Sequence, residues 1–507
     1  MKHAWLVLGA LVGATIVACG EDEQPLAPNP TQELDTAKGG RSENGALRIN
    51  VLLNTAITEE ILAGLRDYAT VTGQIPELNA VFMRGRSSVL PEIQALPYVA
   101  AANPDAERNA APLPPFEASF GDDATDGMNV WNLDAVNVTD CNLVGPAGQQ
   151  ICDVDNNGTR VVGFDGSGVY VAIIDTGLIR TWPFFLPSGQ VATHLGKAFQ
   201  GGPAGAANIA EPTDKWQHDV RSHGTHVTSI VTGYAIPTSG AFREVNGVAP
   251  AATIIPVKVL NQNGSGWSSM VAAGVMYIAE LKEDGVLDGP VVINMSLGGS
   301  VLDAIEKAAI DFAIRQGVVV VASAGNGAEE GMGFPGAYTP VISVAAAGFV
   351  GEWVVNGVIS GAWWSFDDVP DPDDVANLYI TDFSSRELGG QDLDVAAPGS
   401  WVVGPFQLQQ GQPSWFFVGG TSQAAPHVSG IAALMLEKNP TLDSINELGG
   451  GALGEGPVET ILQNEALPMP PGCRNVFDGT SSFVDFCWGA DATGAGFITA
   501  DAALSGA

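Results

Sequence analysis

Basic residues are the scarcest feature of this 507-residue chain: 21 lysines and arginines face 56 aspartates and glutamates, a net charge of −35. No Lys/Arg cluster interrupts that balance, which argues against nucleic acid as a partner, since phosphate binding needs a basic surface. The acidity suits solubility in a salty or calcium-bearing exterior. Charged residues make up only 15% of the chain against 46% hydrophobic, a composition that can fill cores. Cysteine is rare as well, with five residues. Beyond the N-terminus no stretch is long and apolar enough to span a membrane. Glycine is plentiful at 63 residues, which serves tight turns and close backbone approaches.

The N-terminus reads Met1-Lys2-His3 and then runs apolar from Ala4 to Ala18. That is the length of a signal-peptide core and short for a permanent span. The run ends Ile16-Val17-Ala18-Cys19-Gly20, which resembles a bacterial lipobox. The resemblance implies a signal peptide over 1–18 and a lipid on Cys19, hence a cell-envelope or secreted protein touching the membrane through that anchor only. The competing reading is an ordinary signal peptide with a chance cysteine. Residues 19–45 are rich in Pro, Gly and acid, too poor in apolar groups for a core, and read as a tether. The remaining Cys141, Cys152, Cys473 and Cys487 are an even set in an exported chain and lack metal-site spacing, so structural disulfides are expected. Three connectivities are open, and local pairing is the simplest.

Residues 46–104 form a unit of their own. ALRINVLLN reads as a strand, ITEEILAGLRDYA as a helix capped by Thr58, QIPELNAVFMRG as extended, SSVLPEIQAL as a short helix and PYVAAANPD as a strand. The order β-α-β-α-β, with the long middle stretch open to splitting in two, suits a small α/β sandwich. Residues 105–120, DAERNAAPLPPFEASF, are polar and Pro-rich and are expected to be exposed.

From residue 121 to 507 continuous apolar runs such as VYVAIIDTG, ATIIPVKVL, VVINMSLGG and VVVVASAGNG alternate with helical patterns. This predicts a parallel sheet covered on both faces, a three-layer α/β domain. Sites in such sheets form at the carboxyl ends of strands. Asp175 follows one strand in VAIIDTG, His223 opens a helix in SHGTHVTSI, and Ser422 opens another in GGTSQAAPHVSGIAALMLE. Each has an ordinary explanation alone: a turn acid, a packed histidine, an N-cap serine. His223 and His226 could also suggest metal, but the glutamate of H-E-x-x-H is missing, so His226 is read as structural.

Together, DTG, HGTH and GTSxAxPHVxG in the order Asp, His, Ser resemble the signature blocks of the subtilisin-like serine proteases, the subtilases. The likeness runs from about Val130 to the C-terminus, where GAGFITADAAL resembles the family's closing glycine turn and helix. It implies a serine endopeptidase acting on proteins or peptides through an acyl-enzyme, with no cofactor needed for the chemistry. Ser422 would be the nucleophile, His223 the base and Asp175 its partner, with Asn326 in SAGNG at the oxyanion. Ser296, Leu297, Gly298 and Gly299 would line one side of the cleft, Gly264, Ser265 and Gly266 the other. Gly333, in Gly333-Phe334-Pro335-Gly336, would border an open, uncharged S1 pocket, giving broad specificity with apolar P1. Residues 46–104 resemble the family's inhibitory propeptide, which implies a zymogen cut within 105–120.

The chain also departs from the pattern. Gln423 follows the nucleophile where methionine is common. Residues 349–381 read as an inserted aromatic and acidic surface element, most simply a hairpin. Structural calcium is frequent in the family, and Asp153, Asp155 and Asn157 resemble the start of a calcium loop, but Phe164 occupies the place of its closing glutamate. A catalytically dead binding protein would usually lack a triad member. Peptide ligation through the same acyl-enzyme stays open.

Overall fold

Apolar and polar side chains alternate with period two along Ala46–Leu53 (β1), giving the strand two unlike faces. The computed structural model describes residues 46–110, 113–118, 130–139, 160–202, 206–210, 214–238, 241–355, 357–361, 363–365, 369–443, 445–448 and 452–507. In it Leu47, Ile49, Val51 and Leu53 enter the core of a small domain. Arg48 and Asn50, from the other face, bond to Asp105. Thr58 caps α1 (Glu59–Arg66) by accepting the Ile61 N–H at 3.3 Å, as the sequence predicts. β2 (Thr70–Ile75), β3 (Ala80–Arg86), α2 (Leu90–Gln94) and β4 (Val99–Pro104) follow. The middle stretch is therefore two strands, divided by a 3₁₀ turn at Pro76–Leu78. The sheet is antiparallel in the order β2-β3-β1-β4, and Leu62, Leu65 and Ile93 of the two helices seal its core.

The linker corrects one expectation. β5 (Glu107–Asn109) and β6 (Phe116–Glu117) join strands of the large domain, and Asp105, Ala106, Arg108 and Ala110 are buried. Composition misled here because the polar groups of this stretch are matched by partners distant in sequence.

The large domain runs through α3 (Trp131–Ala135), β7 (Tyr170–Asp175), β8 (Lys197–Ala198), α4 (His223–Thr232), β9 (Thr253–Lys258), β10 (Ser265–Trp267) and α5 (Ser268–Glu283). It continues with β11 (Val291–Met295), α6 (Ala304–Arg315), β12 (Val318–Ser323) and β13 (Ile342–Phe349). After these come β14 (Val354–Val355), β15 (Val358–Ile359), β16 (Leu378–Ile380), β17 (Val395–Pro398), β18 (Val402–Phe406), β19 (Ser414–Val418) and α7 (Thr421–Lys438). Last are α8 (Pro457–Glu465), β20 (Gly472–Phe477), β21 (Phe483–Trp488) and α9 (Ala500–Gly506). The central sheet has eight strands, ordered β16-β13-β12-β11-β7-β9-β8 with β17 beside β13. All its pairings are parallel except β13 with β16. Val171 and Ile173 of β7 pack in one core with α4 and α7, while Ala172 and Ile174 pack in the other with α5 and α6. This is the expected three-layer α/β architecture. Because β7 has β9 on one side and β11 on the other, its carboxyl end is a topological switch point, where such sheets bind ligands.

Within 349–381 the described residues are partly surface, with Val358 and Ile359 exposed, and partly core. β14 and β15 do form a hairpin, but Trp353, Trp363 and Trp364 are buried, with Trp353 centred 4.6 Å from Phe417, and β16 closes the sheet edge. The acidic run disguised how much apolar area these tryptophans remove from water. Cys473 and Cys487 face each other across β20 and β21 as a disulfide. A turn at Gly494 and Gly496 leads into α9, as expected. Residues 1–45 with Cys19, the pair Cys141 and Cys152, and the segment holding Asp153, Asp155 and Asn157 lie outside the described residues.

Candidate active site

β7 ends on Asp175 and α4 begins on His223, so the carboxyl end of a strand meets the amino end of a helix. His223 Nδ1 lies 2.9 Å from both Asp175 oxygens. Asp175 Oδ1 also accepts the Thr176 N–H at 2.5 Å, and Thr176 Oγ1 accepts the Gly224 N–H at 2.8 Å. Gly224 is required by this close approach: a Cβ there would lie 2.4 Å from the Gly177 carbonyl. Both members of the pair are buried. Burial alone would depress the His223 imidazole, but the charge and hydrogen bond of Asp175 win and hold it above its ordinary value. His223 Nε2 is buried and has no hydrogen-bond partner.

Ser422 is the second residue of α7, as the sequence predicts, with its N–H among the unpaired donors of the helix start. Its Oγ donates to the Ser296 carbonyl at 3.2 Å, and Ser296 Oγ returns a bond to the Ser422 carbonyl at 2.8 Å. The hydroxyl therefore faces the end of β11 rather than donating to the imidazole. Asn326 Oδ1 accepts both the N–H and the Oγ1–H of Thr421 at 2.9 Å. That grip fixes the amide beside Gly420, whose Cβ would stand 3.3 Å from Nδ2. Asn326 is thus locked to the residue preceding Ser422.

The segments expected to wall the cleft also come together. β10, with Ser265 and Gly266, forms one side, and Gly298 the other, with β5 of the linker between them. Asn109 donates to the Gly298 carbonyl at 2.9 Å and accepts the Gly298 N–H at 3.0 Å. Ala110 donates to the Gly264 carbonyl at 2.8 Å. Gly299 exchanges backbone bonds of 2.9 and 2.7 Å with Phe334, which brings the Gly333 loop against the same wall. Leu297 is buried in the core below.

Sequence reasoning missed three buried polar residues around this corner. Lys258, at the end of β9, donates from Nζ to the Thr176 carbonyl at 2.6 Å. Asp219 accepts the Ser222 N–H at 2.8 Å, and its carboxyl, dried by burial, is pushed up to about 6. Glu306 lies under the linker on α6, among the buried residues Ile305, Ala309, Ile310 and Ala313. A charge interrupting an apolar strand or helix stripe was the signal available for Lys258 and Glu306. His226 is buried, bonds the Val402 carbonyl at 3.1 Å and is depressed by burial to about 3, the structural role expected.

The resemblance drawn from the sequence implies catalysis without a cofactor and leaves structural calcium open. Among the described residues, the carboxyl group cluster that could take a cation is Asp392, Asp394 and Glu459. Its chemistry does not fit one. Asp394 Oδ2 already accepts Ser343 N and Oγ at 2.7 and 2.9 Å, and Oδ1 accepts Gln463 Nε2 at 2.6 Å. Burial raises both Asp394 and Glu459.

Comparison with known proteins agrees with this geometry. Residues 166–481 match the model of the subtilase family, peptidase S8. The chain is 32% identical over 286 residues to subtilisin DY of Bacillus licheniformis, covering 56% of this chain and 81% of that protein. It is 30% identical over 281 residues to thermitase of Thermoactinomyces vulgaris, covering 55% and 79%. The crystal structure of fervidolysin from Fervidobacterium pennivorans superposes with a TM-score of 0.59 at 22% identity, over 91% of this chain and 61% of that one. The chain belongs to the subtilase family of serine endopeptidases.

Proposed function

We propose that the protein is an exported zymogen whose endopeptidase activity runs through Asp175, His223 and Ser422. The observation that carries the reading is the linker: residues 107–110 lie extended between Ser265–Trp267 and Gly298, hydrogen bonded to both walls as an added strand. That is how a peptide substrate pairs with two edges of a cleft. The small domain, residues 46–104, then serves as the inhibitor, and maturation cuts within 105–120.

Ser422 is a weak nucleophile until a base takes its proton. The unpartnered His223 Nε2 is the atom available to do so, after the serine hydroxyl turns from Ser296. Asp175 fixes the Nδ1–H tautomer and stabilises the imidazolium. Charge on the attacked carbonyl oxygen is met by the Ser422 N–H and the Asn326 amide. The imidazolium returns its proton to the leaving amine, and water then clears the acyl-enzyme.

The S1 pocket, bordered by Gly333, takes uncharged and mainly apolar P1 residues. A cleavage profile demanding Lys or Arg at P1 would overturn that. The segment 1–18 is read as the signal and Cys19 as the lipidated start of a tether over 19–45. Cys141 and Cys152 are read as a second disulfide. The test is expression of the full chain and of Ser422→Ala. Wild type converts to a shorter active form; Ser422→Ala stays full-length and loses activity by about a millionfold. Conversion of the alanine variant in isolation would sink the autocatalytic reading.

A further inference from the structure

Arginine rarely loses all contact with water unless its charge and donors are both matched. Arg108 does so at 0% exposure, although it belongs to the linker strand β5 and to neither domain's own core. Its Nε donates to Glu306 Oε1 at 2.9 Å, and its Nη2 donates to Glu306 Oε2. Nη2 also reaches the Val301 carbonyl at 2.9 Å, and Nη1 the Glu107 carbonyl at 2.8 Å. Two parallel bonds from a planar fork to one carboxylate are the strongest form of this pairing. The wall is shaped for it: a Cβ on Gly299 would stand 2.6 Å from Nη1. Glu306 is itself 0% exposed, on the buried stripe of α6.

We infer that Glu306 floors a pocket selecting an arginine side chain in protein substrates, one residue N-terminal to the residue that pairs with Gly298. The inference rests on the reading of β5 as an occupant of the substrate cleft. On the zymogen reading Arg108 rides on the segment that leaves, whereas Glu306 stays in the retained domain. After the segment leaves, a carboxylate at the base of a dry pocket is costly until a cation returns. An apolar side chain would strand both Glu306 oxygens, and an acidic one would add repulsion. Lysine supplies charge but cannot match the fork. The expected order is Arg, then Lys, then Leu, then Glu.

The test begins with the self-processed form of the full chain. Internally quenched peptides share the linker sequence and differ only at the position of Arg108, as Arg, Lys, Leu or Glu. Arginine should exceed leucine in kcat/KM by at least about thirtyfold, the scale of stripping one partner from a buried charge pair. Glu306→Gln should erase most of that advantage, and Glu306→Leu should reverse it. Equal rates for Arg and Leu in wild type, or an Arg advantage surviving both variants, overturns the inference. A second arm does not depend on processing. In full-length Ser422→Ala, Arg108→Glu should speed amide exchange at Asn109 and Ala110 at least tenfold, and adding Glu306→Arg should restore protection. Unchanged exchange in Arg108→Glu would overturn the pocket. Failure of wild type to shorten would count against the zymogen reading alone.

Discussion

Two buried polar regions of this fold differ in which atoms go unpaired: at the seam it is a guanidinium donor, Arg48 Nη1, while the carboxylates are saturated, and at the catalytic corner it is a basic nitrogen. At the seam between the small and large domains, Asp105 accepts five hydrogen bonds, from Arg48, Asn50, Ser268 Oγ, and Ser269 N and Oγ. Asp303 accepts four, from Asn50, Asn103 and the N–H groups of Ile305 and Glu306 at the start of α6. At the catalytic corner the chain of bonds stops at His223 Nε2, which is buried with nothing to bond. Saturated carboxylates hold surfaces in register. An unsatisfied nitrogen holds basicity in reserve for a proton that has yet to arrive.

With nucleophile and base both left in place, the harshest way to break the reactive corner is Asp175→Asn. Activity should fall about 10⁴-fold, because the imidazole loses the partner that fixes its tautomer. The pH profile gives the sign. His223 must be neutral to act as base, so rate rises as pH climbs through its pKa, which Asp175 holds above the ordinary value. The residual activity of the variant should therefore have its acidic limb at lower pH. A limb that stays put would show that Asp175 does not set it.

Unsaturating the seam should cost less. Asp105→Ala takes the carboxylate from the buried Arg48, the Ser268 and Ser269 hydroxyls and the Ser269 N–H, while Asn50 keeps Asp303, and uncut Ser422→Ala protein carrying it should lose about 3 kcal/mol in denaturant unfolding. A loss near zero would mean that the apolar contacts of Phe82, Ala80 and Ile75 alone hold the small domain.

Glu352 is a paired carboxyl inside the large domain. Its oxygens accept from Tyr379, Ser400 and the Phe349 N–H, yet burial pushes it up to about 7. The folded protein therefore holds a proton that the unfolded chain releases above the ordinary glutamate value of 4.5, and stability falls as pH rises from there to about 7. Its share of that fall is of order 3 kcal/mol. Glu352→Gln should flatten the pH dependence of Tm across the same window, and an unchanged slope would rule it out as a source.

Gln423 gives the smallest and most pointed test. Both atoms of its side-chain amide are buried without partners, one residue past Ser422. This group is unsatisfied but has no proton to transfer. Gln423→Met should raise stability by about 1 kcal/mol and make the enzyme sensitive to peroxide. A less stable variant would mean that the amide is matched by water in the cleft.

What could be read in advance follows the range of the interactions. β7, α4 and α7 were legible because their apolar periods and the motifs at their ends lie within a few residues of one another. Thr58 was legible as a cap because its partner, Ile61, is three residues on. Arg108 and Glu306 lie 198 positions apart, and no local pattern links a polar linker to a helix stripe. The tryptophans of 349–381 were hidden for the same reason: Trp363, in a 3₁₀ turn, stacks on Phe417 of the distant strand β19.

Only a few residues separate Pro104, at the end of β4, from the strand lodged in the cleft. Through so short a leash the segment meets the cleft at an effective concentration in the millimolar range or above, whatever the bulk dilution. On the zymogen reading proposed above, outside peptides must outcompete that local supply while the chain is whole, and cutting one bond would turn the supply into an ordinary solute and leave the cleft to answer to its surroundings.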